Sequence, residues 1–198
     1  MNPKILVFAG STRAGAYSGK TADVAQKELA LLGAEVTRIS LGDYPLPIMD
    51  QDYEVEHGIP ENAYRLCRLM IHSDGVLIAT PEYNGSVPPL LKNAIDWVSR
   101  IRTDNGKKVK PFNGKIIALC GSSDGRWGGI RAVSHLRQIL SHMQADLITP
   151  QCLVPDGANA FDEHGNLVEE RMLRSMQTVC KTLTEHAWLL SAQSRGER

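Results

Sequence analysis

The stretch Gly75-Val76-Leu77-Ile78-Ala79-Thr80-Pro81-Glu82-Tyr83-Asn84-Gly85-Ser86-Val87-Pro88-Pro89 decides the architecture. It opens on a short apolar run without polar alternation, the pattern of a strand covered on both faces. It closes on two prolines, which suit the first turn of a helix because their missing N–H groups would have no intrahelical partner there. Leu91, Ala94, Ile95 and Val98 then recur at helical spacing, and Ser86 is placed to cap that helix. A strand that passes through a loop into a helix is the unit of an open α/β sheet, and such sheets bind ligands at the carboxyl ends of their strands. The loop here packs a carboxylate, a phenol, an amide and a glycine into Glu82 to Gly85. Such a loop can lie against a flat heterocycle and hydrogen-bond its edge, or it can be an ordinary turn with Tyr83 in the core.

The same alternation runs outward in both directions. Lys4 to Ala9 reads as a buried strand, with a turn at Gly10. Tyr17 to Leu32 carries Ala22, Ala25, Leu29 and Leu32 at helical spacing and stops at Gly33. Ala34 to Ile39 is a second strand, followed by the proline-rich Tyr44 to Pro47; Glu61 to His72 is a helix and Asp74 to Thr80 a third, central strand. Lys115 to Cys120 makes a fourth strand, and a helix burying Ile130, Val133, Leu136, Leu140 and Met143 follows it. Ala145 to Ile148 is a fifth strand, and Leu173, Met176, Cys180, Leu183, Ala187 and Leu190 mark a last helix. Right-handed crossovers predict a doubly wound α/β fold: a five-stranded parallel sheet in order 2-1-3-4-5 with helices on both faces. With no break in composition, residues 1–198 are expected to form a single domain.

Composition narrows the function. Twenty-two basic and 22 acidic residues cancel, so no basic stripe points to nucleic acid or a membrane surface. The N-terminal apolar run Ile5 to Ala9 is too short for a signal peptide or a membrane span, which predicts a cytoplasmic protein. Cys67, Cys120, Cys152 and Cys180 lie far apart with no C-x-x-C, the pattern of free buried thiols. His135 and His142 share a helix but no metal-binding motif, and no metal is expected.

Three loops leave strands 1, 3 and 4 at one sheet edge. The first, Gly10 to Thr21, offers backbone N–H groups, hydroxyls, the Arg13 guanidinium and a helix N-terminus, all of which favour a phosphate. Within it Ala14 to Thr21 nearly spells a nucleoside-triphosphate loop. That motif should start directly at the strand end, and no strand here ends in an aspartate for Mg²⁺, so the match is read as chance. The third loop, Gly121 to Gly129, has four glycines, enough backbone freedom to approach a ligand closely. Trp127 in it can stack on a ligand or cover a subunit contact.

Gly10-Ser11-Thr12-Arg13 with Ser18, Pro81-Glu82-Tyr83-Asn84-Gly85-Ser86-Val87-Pro88 and Leu91-Lys92-Asn93-Ala94-Ile95-Asp96-Trp97 resemble the NADPH-dependent FMN reductase family over roughly residues 4 to 150. Lys20 stands where that family has asparagine. The resemblance implies a flavodoxin-like fold, non-covalent FMN and NADPH as co-substrate. It places Ser11, Arg13 and Ser18 at the FMN phosphate and Pro81, Glu82, Tyr83, Asn84 and Gly85 along the isoalloxazine ring. Ser86 would stand at the following helix start, with Ser122 and Ser123 contributing from the third loop. Hydride would pass from nicotinamide C4 to flavin N5 with no catalytic side chain, and on to a flavin, quinone, azo or chromate-type acceptor in ping-pong order. A homodimer or homotetramer is implied as well, with Trp97 across the interface. The rival reading is a flavodoxin-like electron carrier docking to protein partners; such carriers tend to be strongly acidic, and zero net charge counts against it.

Overall fold

The computed structural model describes residues 2–196. Strands β1 (Lys4–Ala9), β2 (Glu35–Ile39), β3 (Gly75–Pro81), β6 (Ile116–Ser122) and β7 (Asp146–Val154) form one parallel sheet in order β2-β1-β3-β6-β7. This is the expected 2-1-3-4-5 order. The short strands β4 (Thr103–Asp104) and β5 (Lys107–Lys108) belong to a separate antiparallel hairpin. Every residue of β1 after Lys4, and all of β6, is buried, as sheet strands covered on both faces must be.

Helices α1 (Tyr17–Leu31) and α6 (Glu170–Gly196) cover one face, and α3 (Glu61–His72), α4 (Pro89–Arg100) and α5 (Ile130–His142) the other. On the α1 side Ala22, Ala25 and Leu29 meet Leu77, Cys120, Met176 and Leu183; on the other, Leu66, Leu91, Trp97 and Leu136 meet Leu6, Ile78 and Leu119. The alternation of strand residues between these two sets is the period-two pattern made physical.

Four expectations change. The fifth strand runs on from Ile148 through Pro150 to Val154, because β7 is an edge strand and its register against β6 shifts between Ile117 and Leu119, where a proline costs no ladder bond. A short helix, α2 (Gln51–His57), precedes α3; the Asp50 carboxylate caps it by accepting from the N–H groups of Asp52 and Tyr53 at 2.7 and 3.1 Å. Ser86 does not cap α4, which starts after Pro88 with no side-chain cap. Trp97 does not face a subunit interface: it is fully buried, with its indole N–H donating to the Pro47 carbonyl at 2.7 Å and its ring edge-on to Tyr53.

Candidate functional site

The sheet register sets the site. Ala9 lies level with Ala79, Ala79 with Cys120 and Pro81 with Ser122, so the loops after β1, β3 and β6 emerge side by side. The first presses on the second: Gly10 donates its N–H to Ala79 O at 2.8 Å, and a Cβ on Gly10 would lie 3.1–3.2 Å from Pro81, Pro88 and Leu91.

In the first loop, α1 begins after Ala16 with no capping side chain, so its leading N–H groups have no intrahelical partner. Ser18, in that first turn, is buried, yet its hydroxyl makes no hydrogen bond. Arg13 is exposed; its guanidinium donates to Ala14 O at 3.2 Å and lies 5.6 Å from the centre of the Tyr17 ring, with no ion pair among the described residues. Ser11 accepts from the Arg13 N–H at 3.3 Å. Lys20 turns away toward Phe161, its ammonium 5.5 Å from that ring.

The second loop is a tight turn held on a buried anchor. Tyr83 and Ser86 exchange backbone hydrogen bonds at 3.0 Å, with Asn84 and Gly85 both at positive φ (50° and 77°), the backbone of a type I′ turn. This explains the Asn-Gly pair and leaves Tyr83 about half exposed rather than in the core. The Glu82 side chain points inward instead. Its Oε1 accepts from Arg131 Nε at 2.7 Å and from Nη2, and its Oε2 from the backbone N–H groups of Arg131 and Ala132 at 3.0 and 3.4 Å. Burial alone would raise the Glu82 pKa, but the Arg131 guanidinium and the two N–H groups outweigh it and hold the carboxyl below its ordinary range. The Ser86 hydroxyl meets His135 Nδ1 at 3.1 Å.

The third loop packs closely against its own neighbours. A Cβ on Gly121 would sit 2.6 Å from Gly128 O, and one on Gly128 would sit 2.9 Å from the backbone nitrogens of Val154 and Pro155. These two glycines admit the protein's own backbone. Ser123 is likewise occupied: its N–H donates to Val154 O and its hydroxyl to Gly125 O. Ser122 resembles Ser18, with a buried hydroxyl lacking any partner, and strand alternation puts it on the α1 side of the sheet. Trp127 is 56% exposed, with the Arg126 guanidinium 4.9 Å from its ring centre.

Tyr17, unmarked in the sequence, joins the loops. Its ring packs so closely on Gly157 that a Cβ there would lie 2.5 Å away, and a hydrogen bond to Asp124 raises its phenol pKa. Residues 155–170 accordingly fold back on the molecule. Lys27 ties His164 O and Asn166 to α1, while Glu163 and Glu169 stay in solvent. Cys120 and the other three cysteines are buried free thiols, and burial pushes Cys120 far above its usual range.

A cavity of about 790 Å³ lies elsewhere, between α4 and α5 near Phe112 and His142, and shares none of the site residues. Flavin sites in open sheets are defined by strand-end loops rather than by depth, so the sheet edge is the functional candidate. The residues there fit a phosphorylated flavin: an uncapped helix N-terminus, an orphaned buried hydroxyl and an exposed guanidinium with no ion pair among the described residues together suit the phosphate.

Fold and edge together define a flavodoxin-like flavin oxidoreductase, and comparison with known proteins reaches the same class. The model of the NADPH-dependent FMN reductase family matches residues 3–159, and the chain belongs to that family. An NAD(P)H-dependent FMN reductase of Pseudomonas aeruginosa is 34% identical over 182 residues, 91% of this chain and 92% of that protein. A quinone reductase of Escherichia coli K12 is 39% identical over 143 residues, covering 72% and 71%. The solved flavoenzyme NAD(P)H:(acceptor) oxidoreductase FerB of Paracoccus denitrificans superposes with a TM-score of 0.77 at 31% identity, covering 93% and 97%. The protein is an NAD(P)H-dependent oxidoreductase with FMN as its cofactor. Among the described residues no helix is long and apolar enough to cross a membrane.

Proposed function

We propose that the protein uses NADPH to reduce a quinone-type acceptor through FMN held at the β1–β3–β6 edge, in ping-pong order. FMN, when bound, would supply the redox chemistry between the nicotinamide and the acceptor. The chain's own residues bind and orient. Ser18, Ser11 and Arg13, with the first N–H groups of α1, hold the phosphate. Pro81 to Gly85 line the ring, Ser86 closes the turn, and Ser122 and Ser123 flank it from β6. No side chain is assigned a proton to carry.

The observation that carries this reading is the buried, unpartnered Ser18 hydroxyl in the uncapped first turn of α1, one strand away from the anchored Glu82–Ser86 loop. The half-exposed Tyr83 favours an open ring face that donor and acceptor occupy in turn, which is the basis of the ping-pong order. The name of the Escherichia coli relative favours a quinone as acceptor. A homodimer or homotetramer in the cytoplasm is the assembly the family resemblance supports, and light scattering tests the stoichiometry.

The test is a single preparation. Purified protein carrying FMN should bleach on anaerobic addition of NADPH and recolour with a benzoquinone, with parallel lines in double-reciprocal plots. Yellow protein that ignores both NADPH and NADH would instead be an electron carrier.

A further inference from the structure

Among the described residues, the Glu82 carboxylate is bound from one place, the start of α5. Two guanidinium nitrogens of Arg131 reach one carboxylate oxygen, and two successive backbone N–H groups reach the other. Helix α5 itself begins at Gly129 with no side-chain cap of its own, so a residue 49 positions away does the capping. A carboxylate at a helix N-terminus also meets the positive end of the helix dipole. The Glu82 side chain keeps only 7% of its surface in water, whereas that of Arg131 keeps 60%. A carboxylate so withdrawn depends on its partners, while the arginine alone could be solvated.

The contact does not stop at Glu82. Arg131 runs beneath the turn, where a Cβ on Gly85 would lie 3.8 Å from both its Cδ and Nε. One helical turn further on, His135 meets the Ser86 hydroxyl. Helix α5 thus touches the start, middle and end of the Glu82–Ser86 segment. A flexible loop would lose conformational entropy on receiving a ligand; a loop already fixed does not.

We propose that Arg131 is a positioning residue for the flavin: by pinning and neutralising Glu82 it presents the Tyr83–Ser86 turn to the ring in one geometry. The inference rests on the reading that this turn lines FMN. It also gives the pair an electrostatic role, since an uncompensated carboxylate beside the ring would oppose the arrival of electrons.

The test compares wild type, R131Q, R131K and the E82Q/R131Q double variant as apoproteins titrated with FMN by fluorescence quenching. Visible circular dichroism of the bound flavin and the melting temperature of each apoprotein are measured alongside. R131Q should weaken FMN binding about tenfold or more and alter the flavin dichroism, because it leaves a buried carboxylate uncompensated. The double variant should bind FMN more tightly than R131Q, since it removes that charge. R131K, which keeps the charge without the fork, should fall between wild type and R131Q. An R131Q dissociation constant within twofold of wild type with unchanged dichroism overturns the proposal, and so does a double variant weaker than R131Q. A rise in NADPH KM with FMN affinity intact also overturns it, making Arg131 a substrate contact. If R131Q fails to fold, R131K carries the decision, and parity with wild type refutes the proposal. Wild-type protein that takes up no FMN refutes the site reading itself, a distinct result.

Discussion

Replacing Ser18 with alanine should move two quantities in opposite directions. The Ser18 hydroxyl is buried and makes no hydrogen bond within the chain. An unsatisfied buried polar group costs about 1–3 kcal/mol, so its removal should stabilise the apoprotein by about 1 kcal/mol or somewhat more. Alanine is also the better helix residue in that first turn. For a chain of this size the gain corresponds to a rise of about 2–4 °C in apoprotein Tm per kcal/mol. In the FMN complex the same hydroxyl would donate to a phosphate oxygen, a charge-assisted bond of about 1.5–3 kcal/mol. Its loss weakens FMN binding about 10- to 100-fold, at 1.4 kcal/mol per decade. Scanning calorimetry of the apoprotein and isothermal titration with FMN read the two effects separately. An apoprotein that melts below wild type while FMN affinity is unchanged would refute the reasoning, because the hydroxyl would then be serving the fold.

Three further outcomes are expected. Trp97→Phe should cost about 1–2 kcal/mol in urea unfolding through the lost indole hydrogen bond and volume, with FMN affinity unaltered, because Asn93 Nδ2 still donates to Pro47 O at 2.9 Å. Gly85→Ala should lose about 1–2 kcal/mol through its left-handed backbone alone, whereas Gly121→Ala, with a backbone oxygen 2.6 Å from the new Cβ, should lose more than twice that; paired denaturant curves compare them. Glu82 has a folded-state pKa below its unfolded value of 4.5, so its anchor contributes fully above pH 4.5 and is lost as the pH falls through the folded value. The stability gap between wild type and R131Q, measured from pH 7 downward, should therefore start to shrink as the uncompensated Glu82 of R131Q takes up a proton, above pH 4.5, and lose its electrostatic part once the pH passes below the wild-type folded value.

The sheet was legible because β1, β3 and β6 are almost wholly apolar and their helices periodic. What escaped the sequence had a local or a long-range cause. Helix α2 buries no residue, so it shows no stripe and is marked only by the Asp50 cap. The hairpin at Thr103–Lys108 carried a legible Asn-Gly signal at positions 105–106, both with positive φ, but its two-residue strands are too short for periodicity. At the site, the first loop and the turn at Asn84-Gly85 could be read from residue type. The engagement of Glu82 with Arg131 could not, since 49 residues separate them. Nor could the packing of Gly121 and Gly128 against backbone, because a glycine that admits a ligand and one that admits a neighbouring strand look alike in sequence.

The proline in β7 has a meaning beyond the length of that strand. A strand at the border of a sheet is an open template on which another chain can polymerise. Pro150 removes a donor from that border, and the shifted register beside it breaks the straight line a visiting strand would need. The opposite border, β2, is only five residues long and carries Glu35 and Arg38. Both rims of the sheet are thus poor seeds for fibrils, despite so apolar a centre.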